Sequence, residues 1–152
     1  MKDKICILGK LPTKYEAPFN DESFEIWTMN KHIDHDLIPR IDKTFDIHIN
    51  PENKNADVLR ADFPMEQLQD KLGGNYLNNI TSYLIAYATC CGAKEIHLYG
   101  MRFDADHDHR KLEYYNVREI IFYAKGRGVK IFDYDGILTK EFIVQEGQDY
   151  DS

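Results

Sequence analysis

The sequence predicts one α/β domain built on an open parallel sheet with helices on both faces. Three observations lead there. Apolar runs of strand length alternate with segments of helical periodicity. Glycine follows several of these runs, as in Leu8-Gly9, Tyr99-Gly100 and Gly126-Arg127-Gly128. The 152 residues, 43% hydrophobic and 12% aromatic, fit one domain with one core.

The elements follow in order. Residues 4–8 (KICIL) form an apolar run closed by Gly9, a buried first strand, and residues 10–19 carry two prolines and read as a loop. Residues 24–30 (FEIWTMN) are a second strand. In residues 32–40, Ile33, Leu37 and Ile38 sit at helical spacing, which predicts a short helix ended by Pro39. Residues 44–49 (TFDIHI) are the third strand, 57–60 a brief strand, and 64–71 a short helix stopped at Gly73-Gly74. From 79 to 91, Ile80, Leu84, Tyr87, Ala88 and Cys91 share one helical face, with Gly92 as the stop. Residues 95–99 (EIHLY) are a strand; Val117, Ile121 and Ala124 mark a helix over 114–125, and 129–132 are the last strand. Strands and helices alternating in this way make parallel βαβ units, hence a Rossmann-like sheet. Residues 145–152 are acidic and nearly free of apolar groups, so a frayed tail is expected after a domain spanning 1–144.

Charge narrows the function. With 19 Lys and Arg against 26 Asp and Glu, the net charge of −7 works against binding nucleic acid, although local donors can still hold one small phosphate-bearing ligand. No apolar run approaches the roughly 18 residues of a membrane span, and MKDKICILGK lacks the pattern of a signal peptide, so the expected setting is cytoplasmic. Three cysteines are an odd number, and the neighbours Cys90 and Cys91 are poorly placed to bridge each other, so reduced thiols are expected. Late in a helix, the dipole disfavours a thiolate at either of these two.

Ligands of open parallel sheets bind beyond the carboxyl ends of the strands. Four places qualify. In the first loop, Gly9 permits close backbone approach while Lys10 and Thr13 suit a phosphate or carboxylate; the plainer alternative is an ordinary turn. At the start of the 79–91 helix, Thr81 or Ser82 suits the cap, and the same hydroxyls suit an anion. Asn30, His48 and Asn50 lie at strand ends, where they can read a base or ribose or merely end a strand. After Gly100, Asp104 and Asp106 with His107 and His109 suggest a divalent cation, the one cofactor left open, against the alternative of a solvated charged turn. Arg102 and Arg110 suit a phosphate instead, and Glu113 and Arg118 open the next helix at the same end of the sheet.

Several segments carry a resemblance: Ile7-Leu8-Gly9, residues 24–30, Phe45-Asp46-Ile47-His48, Thr81-Ser82, residues 92–100 and residues 126–131. They resemble a family of small Rossmann-like bacteriophage proteins, mostly of unassigned function, and are similar in pattern to bacterial lipooligosaccharide sialyltransferases and methylpterin-kinase-like domains. The resemblance implies a nucleotide role for Gly9, Asn30, Asn50, Thr81 and Ser82. The sialyltransferases carry a lid with a catalytic histidine after the glycine turn; here only residues 104–111 occupy that place.

The expectation is therefore a phage-type protein of the host cytoplasm that binds a soluble nucleotide, ADP-ribose-like or cyclic, and sequesters it as a host defence signal. Phosphates would rest on Lys10, Thr13 and Thr81-Ser82, with Asn30 and Asn50 reading base or ribose and Arg102 or Arg118 supplying further charge. The alternative is a nucleotide-sugar-dependent glycosyltransferase or metal-dependent nucleotide hydrolase, with His107, His109 or Glu113 as acid or base. Plentiful tyrosine, 10 residues, points to a homo-oligomer.

Overall fold

Among the described residues, six parallel strands form one sheet: β1 (Lys4–Leu8), β2 (Phe24–Met29), β3 (Lys43–Asp46), β4 (Val58–Leu59), β5 (Glu95–Tyr99) and β6 (Lys130–Asp133), in the order β4-β3-β2-β1-β5-β6. The computed structural model describes residues 1–30, 37–74, 76–101 and 108–136, with 108–110 as backbone only. Helices α1 (Met65–Leu72), α2 (Ile80–Cys90) and α3 (Asp108–Gly126) complete the chain with a 3₁₀ helix at Pro12–Glu16. This is the predicted Rossmann-like α/β sheet.

β1 is central, with Ile5, Cys6 and Ile7 fully buried, as befits a parallel strand covered on both faces. Its alternation separates two cores. Ile5 and Ile7 join Trp27, Phe45, Ile96 and Leu98 under all three α-helices, which contribute Leu68, Leu84, Ile85, Val117 and Ile121. Cys6 and Leu8 face the other way, with Phe24, Ile26, Ile38 and Tyr99. Among the described residues the helical cover on that second face is only the 3₁₀ helix, and irregular segments around Ala17 and Ile38 supply the rest. His97 of β5 closes this layer: its ring stacks on Phe132 at 4.2 Å, with Nδ1 2.9 Å from the Tyr134 hydroxyl and Nε2 3.0 Å from Glu95.

Three departures from expectation exceed two residues. β3 stops at Asp46 rather than residue 49, because the Asp46 carboxylate accepts the N–H groups of His48 and Asn53 and turns the chain. Helix α3 begins at Asp108, six residues ahead of the predicted Tyr114, so charged sequence that read as loop forms its first turns. Of the predicted 32–40 helix, residues 37–40 are turn and irregular chain, and 31–36 lie outside the described residues. The 145–152 tail also lies outside them. No helix among the described residues is long and apolar enough to cross a membrane.

Trp27 anchors the helical face. Its ring lies 4.8 Å from Phe45 and 5.8 Å from Tyr87, and Phe63 closes the group at 5.1 Å from Tyr87. Trp27→Ala should cost about 3–5 kcal/mol in urea denaturation followed by circular dichroism, whereas Trp27→Phe should retain most of the stability; equal losses would show that ring volume is not what the site requires.

Candidate functional site

From β1 the chain builds outward through β2, β3 and β4, then returns to place β5 on the opposite side of β1. The carboxyl ends of β1 and β5 therefore flank the point where strand order reverses. There the two following glycines meet. The Gly9 N–H donates to Tyr99 O at 2.7 Å and the Leu11 N–H to Gly100 O at 2.9 Å. A Cβ on Gly9 would lie 2.2 Å from Gly100 O, while Gly100, at φ +74°, would bring one within 2.9 Å of Leu11 O. Neither position admits a side chain without moving backbone.

Thr13 braces this junction. Its hydroxyl accepts the Gly100 N–H at 2.7 Å and donates to one oxygen of Asp135 at 2.6 Å; the other oxygen accepts the Met101 N–H at 2.9 Å. The first loop, the end of β5 and the turn after β6 are thus tied through one carboxylate. The hydroxyl hydrogen read from sequence as an anion donor goes to Asp135 here. Lys10, next to Gly9, is exposed at the rim.

One strand over, Asn30 follows β2 at φ 58°, a left-handed backbone that asparagine tolerates. Its N–H donates to Phe45 O at 2.7 Å. Its side-chain Oδ1 is buried without a hydrogen-bond partner among the described residues. At the end of β3, fully buried Asp46 takes the His48 ring Nδ1 at 2.7 Å, the His48 N–H at 3.2 Å and the Asn53 N–H at 2.9 Å. Burial alone would raise its pKa, but the Asn53 N–H and both His48 contacts outweigh that and hold it below its ordinary value of 3.8. The His48 side chain is 48% exposed, so with Nδ1 held by Asp46, its Nε2 is the ring nitrogen left for a ligand. Asn50 stands exposed beyond it.

The start of α2 also faces this end of the sheet. The cap is Asn79 rather than Thr81 or Ser82: its Oδ1 accepts the Ser82 N–H at 3.0 Å and its Nδ2 donates to Ser82 Oγ at 2.9 Å. Ser82 is fully buried, and buried Thr81 donates to Met29 Sδ at 3.5 Å, tying the first turn of α2 to the end of β2. Buried Asn116 fastens α3 alongside by accepting the Asn78 N–H at 3.0 Å.

The structure thus gathers Gly9, Thr13, Asn30, His48, Thr81 and Ser82 at the carboxyl end of the sheet. Arg118 is not among them. Because α3 starts at Asp108, Arg118 lies roughly 15 Å along the helix from that start, where it reaches the Tyr114 hydroxyl at 3.4 Å. Glu113 is half-buried in the second turn. Arg102, Asp104, Asp106 and His107 lie outside the described residues, as do the side chains of His109 and Arg110. Among the described residues no group of three or more His, Cys, Asp or Glu is arranged to hold a metal. Burial pushes the Cys6 thiol up to about 12, against a smaller opposing effect of Arg40, which disfavours the thiolate a nucleophile needs. Sequence reasoning singled out neither Asp46 nor Asp135 as a site residue. The available signal was a carboxylate close behind a parallel strand, able to collect loop N–H groups.

A carboxylate whose folded pKa is depressed stabilises the fold fully above its unfolded value and loses that contribution as pH falls through the folded one. Asp46→Asn should therefore lower stability at neutral pH and flatten its decline below pH 3.8, as read from urea midpoints across the acid range. An unaltered acid limb would refute that role for Asp46.

No known family model and no curated protein sequence matches the chain. Among solved structures it is similar to the crystal structure of the sialyltransferase CST-II in complex with trisaccharide acceptor and CMP, at 19% identity and a TM-score of 0.49, over 88% of this chain and 81% of that chain. The bacteriophage-family and methylpterin-kinase resemblances rest on the sequence segments alone.

Proposed function

We propose that the chain binds a small nucleotide at the carboxyl end of its sheet, around the β1–β5 switch point and the neighbouring end of β2. The observation that carries this reading is the buried carboxamide oxygen of Asn30, which has no hydrogen-bond partner among the described residues. A buried acceptor without a donor costs about 1–3 kcal/mol, and glycine would satisfy the positive φ with no amide to bury. An amino group of a base or a ribose hydroxyl is the kind of donor that would satisfy it. Lys10 at the rim and the positive end of α2, whose Ser82 N–H is already taken by the Asn79 cap, suit the phosphates. With a net charge of −7, such binding rests on local donors rather than long-range attraction. The resemblance implies a nucleotide role only; an ADP-ribose-like or cyclic nucleotide, held and sequestered as a defence signal, is the ligand and role expected of a phage-type protein.

The Asp46–His48 pair favours a second reading, turnover of the nucleotide as a hydrolase or nucleotide-sugar transferase. A buried carboxylate fixing one imidazole nitrogen while the other meets solvent is an arrangement suited to general acid–base chemistry. His48 then takes the part that the sequence offered to His107, His109 or Glu113.

Purified protein equilibrated with a panel of nucleotides, nucleotide-sugars and cyclic nucleotides, freed of excess, denatured and read by mass spectrometry is expected to release one intact compound. Asn30→Gly keeps the backbone conformation and should weaken that binding by about tenfold or more, near 1.4 kcal/mol, with a melting temperature of the unliganded protein that does not fall. Undiminished affinity would remove Asn30 from the site. Altered product in excess of protein, abolished in His48→Gln, would establish the second reading.

A further inference from the structure

Helix α3 presents two different faces. Tyr114, Val117, Ile120, Ile121 and Ala124 are fully buried against the sheet side of the molecule. On the opposite side Leu112, Tyr115 and Phe122 are 61%, 40% and 54% exposed. Their spacing of three and seven residues places them in one stripe, with exposed Glu119 on the turn between Tyr115 and Phe122. Tyr76, 41% exposed, flanks the stripe; partial burial first and the Glu119 carboxylate second raise its phenol pKa. Asn116 Nδ2 holds that neighbour by donating to Tyr76 O at 3.0 Å. A helix turned only toward water normally carries polar groups at such positions, and large apolar stripes mark contact surfaces.

We propose that this face binds a second copy of the chain through antiparallel pairing of α3 with α3 about a two-fold axis passing between Arg118 and Glu119. The order of residues around that point selects the occupant, because it is self-complementary. Arg118 meets the partner's Glu119, and Glu119 meets the partner's Arg118. Tyr115 meets the partner's Phe122, and Leu112 lies against the aliphatic stem of the partner's Lys125. A two-fold interface requires the same patch to complement itself in this reciprocal way. Parallel pairing in register would instead set Glu119 against the partner's Glu119. Lys125 already lies along the stripe, its Nζ over Phe122 at 5.8 Å, and half-buried Arg118 borders it, its guanidinium over the ring of buried Tyr114 at 5.7 Å. At 1.5 Å per residue α3 is roughly 28 Å long, so one helix face with Tyr76 makes an interface at the small end of the specific range, and the dimer dissociates on dilution.

Sedimentation velocity on the full chain over a dilution series tests this. The wild type should shift from monomer to dimer with rising concentration. Phe122→Glu, Glu119→Arg and Arg118→Glu should each weaken dimerisation by about tenfold or more, and the double variant Arg118→Glu/Glu119→Arg should restore it by exchanging the pair across the axis. Circular dichroism verifies folding, and should loss of the Tyr114 contact unfold Arg118→Glu, then Phe122→Glu and Glu119→Lys, both altering exposed side chains, decide the matter. A monomer at every concentration, a dimer indifferent to Phe122→Glu, or a folded double variant that stays monomeric would each overturn the proposal.

Discussion

The backbone-to-backbone approach of Gly9 and Gly100 is the constraint on which the rest of the molecule is arranged. A Cβ at Gly9 would fall 2.2 Å from Gly100 O, so β1 and β5 can leave the sheet this close together only without a side chain there. The two chains then depart in different directions, and Thr13 and Asp135 hold the departure by joining the first loop, the Gly100 N–H and the Met101 N–H through one hydroxyl and one carboxylate. Close approach removes side-chain bulk from the point where strand order reverses, and the brace cross-links the segments that leave it. Both properties suit a ligand site.

Unequal cover of the sheet's faces has a second effect. With α1, α2 and α3 all above one core, the first turn of α2 comes down beside the end of β2, as the Thr81 contact with Met29 records. Asn30 turns the chain there through a left-handed backbone, and Asp46 turns it at the next strand by gathering N–H groups. Each turn costs something locally: a sterically restricted φ in one case and a buried charge in the other. Asp46 offsets its burial with three hydrogen bonds, including the His48 ring, whereas the Asn30 oxygen has none among the described residues. That contrast distinguishes a polar group used by the fold from one suited to a ligand.

The two proposed interactions draw on different physics. At the sheet end, polar groups in fixed positions meet a polar ligand despite an acidic chain, so geometry does more than net charge. On α3, apolar area supplies attraction and the Arg118–Glu119 order supplies register. Arg118 shows how one side chain changes meaning with helix phase, since starting α3 at Asp108 moves it from the sheet end to the middle of a helix.

By itself the sequence determined the parallel α/β sheet, the strands through Lys4–Leu8, Phe24–Met29 and Glu95–Tyr99, and the helix at Ile80–Cys90. Apolar periodicity and glycine stops are local signals, and burial on both faces of a parallel strand leaves an apolar run that composition alone can report. It also indicated the end of the sheet where Gly9, Asn30, His48 and Thr81 gather, because parallel connectivity brings strand ends together whatever the side chains. Only the tertiary structure decided which groups there are already engaged. The Thr13 link to Asp135 spans 122 residues, and the Thr81 contact with Met29 spans 52. No local pattern encodes such pairs, since they form when distant loops are packed onto one edge. The start of α3 was likewise hidden, for its first turns are charged residues without an apolar period, and Asp108 to Lys111 enter the helix ahead of the buried turns that begin at Tyr114.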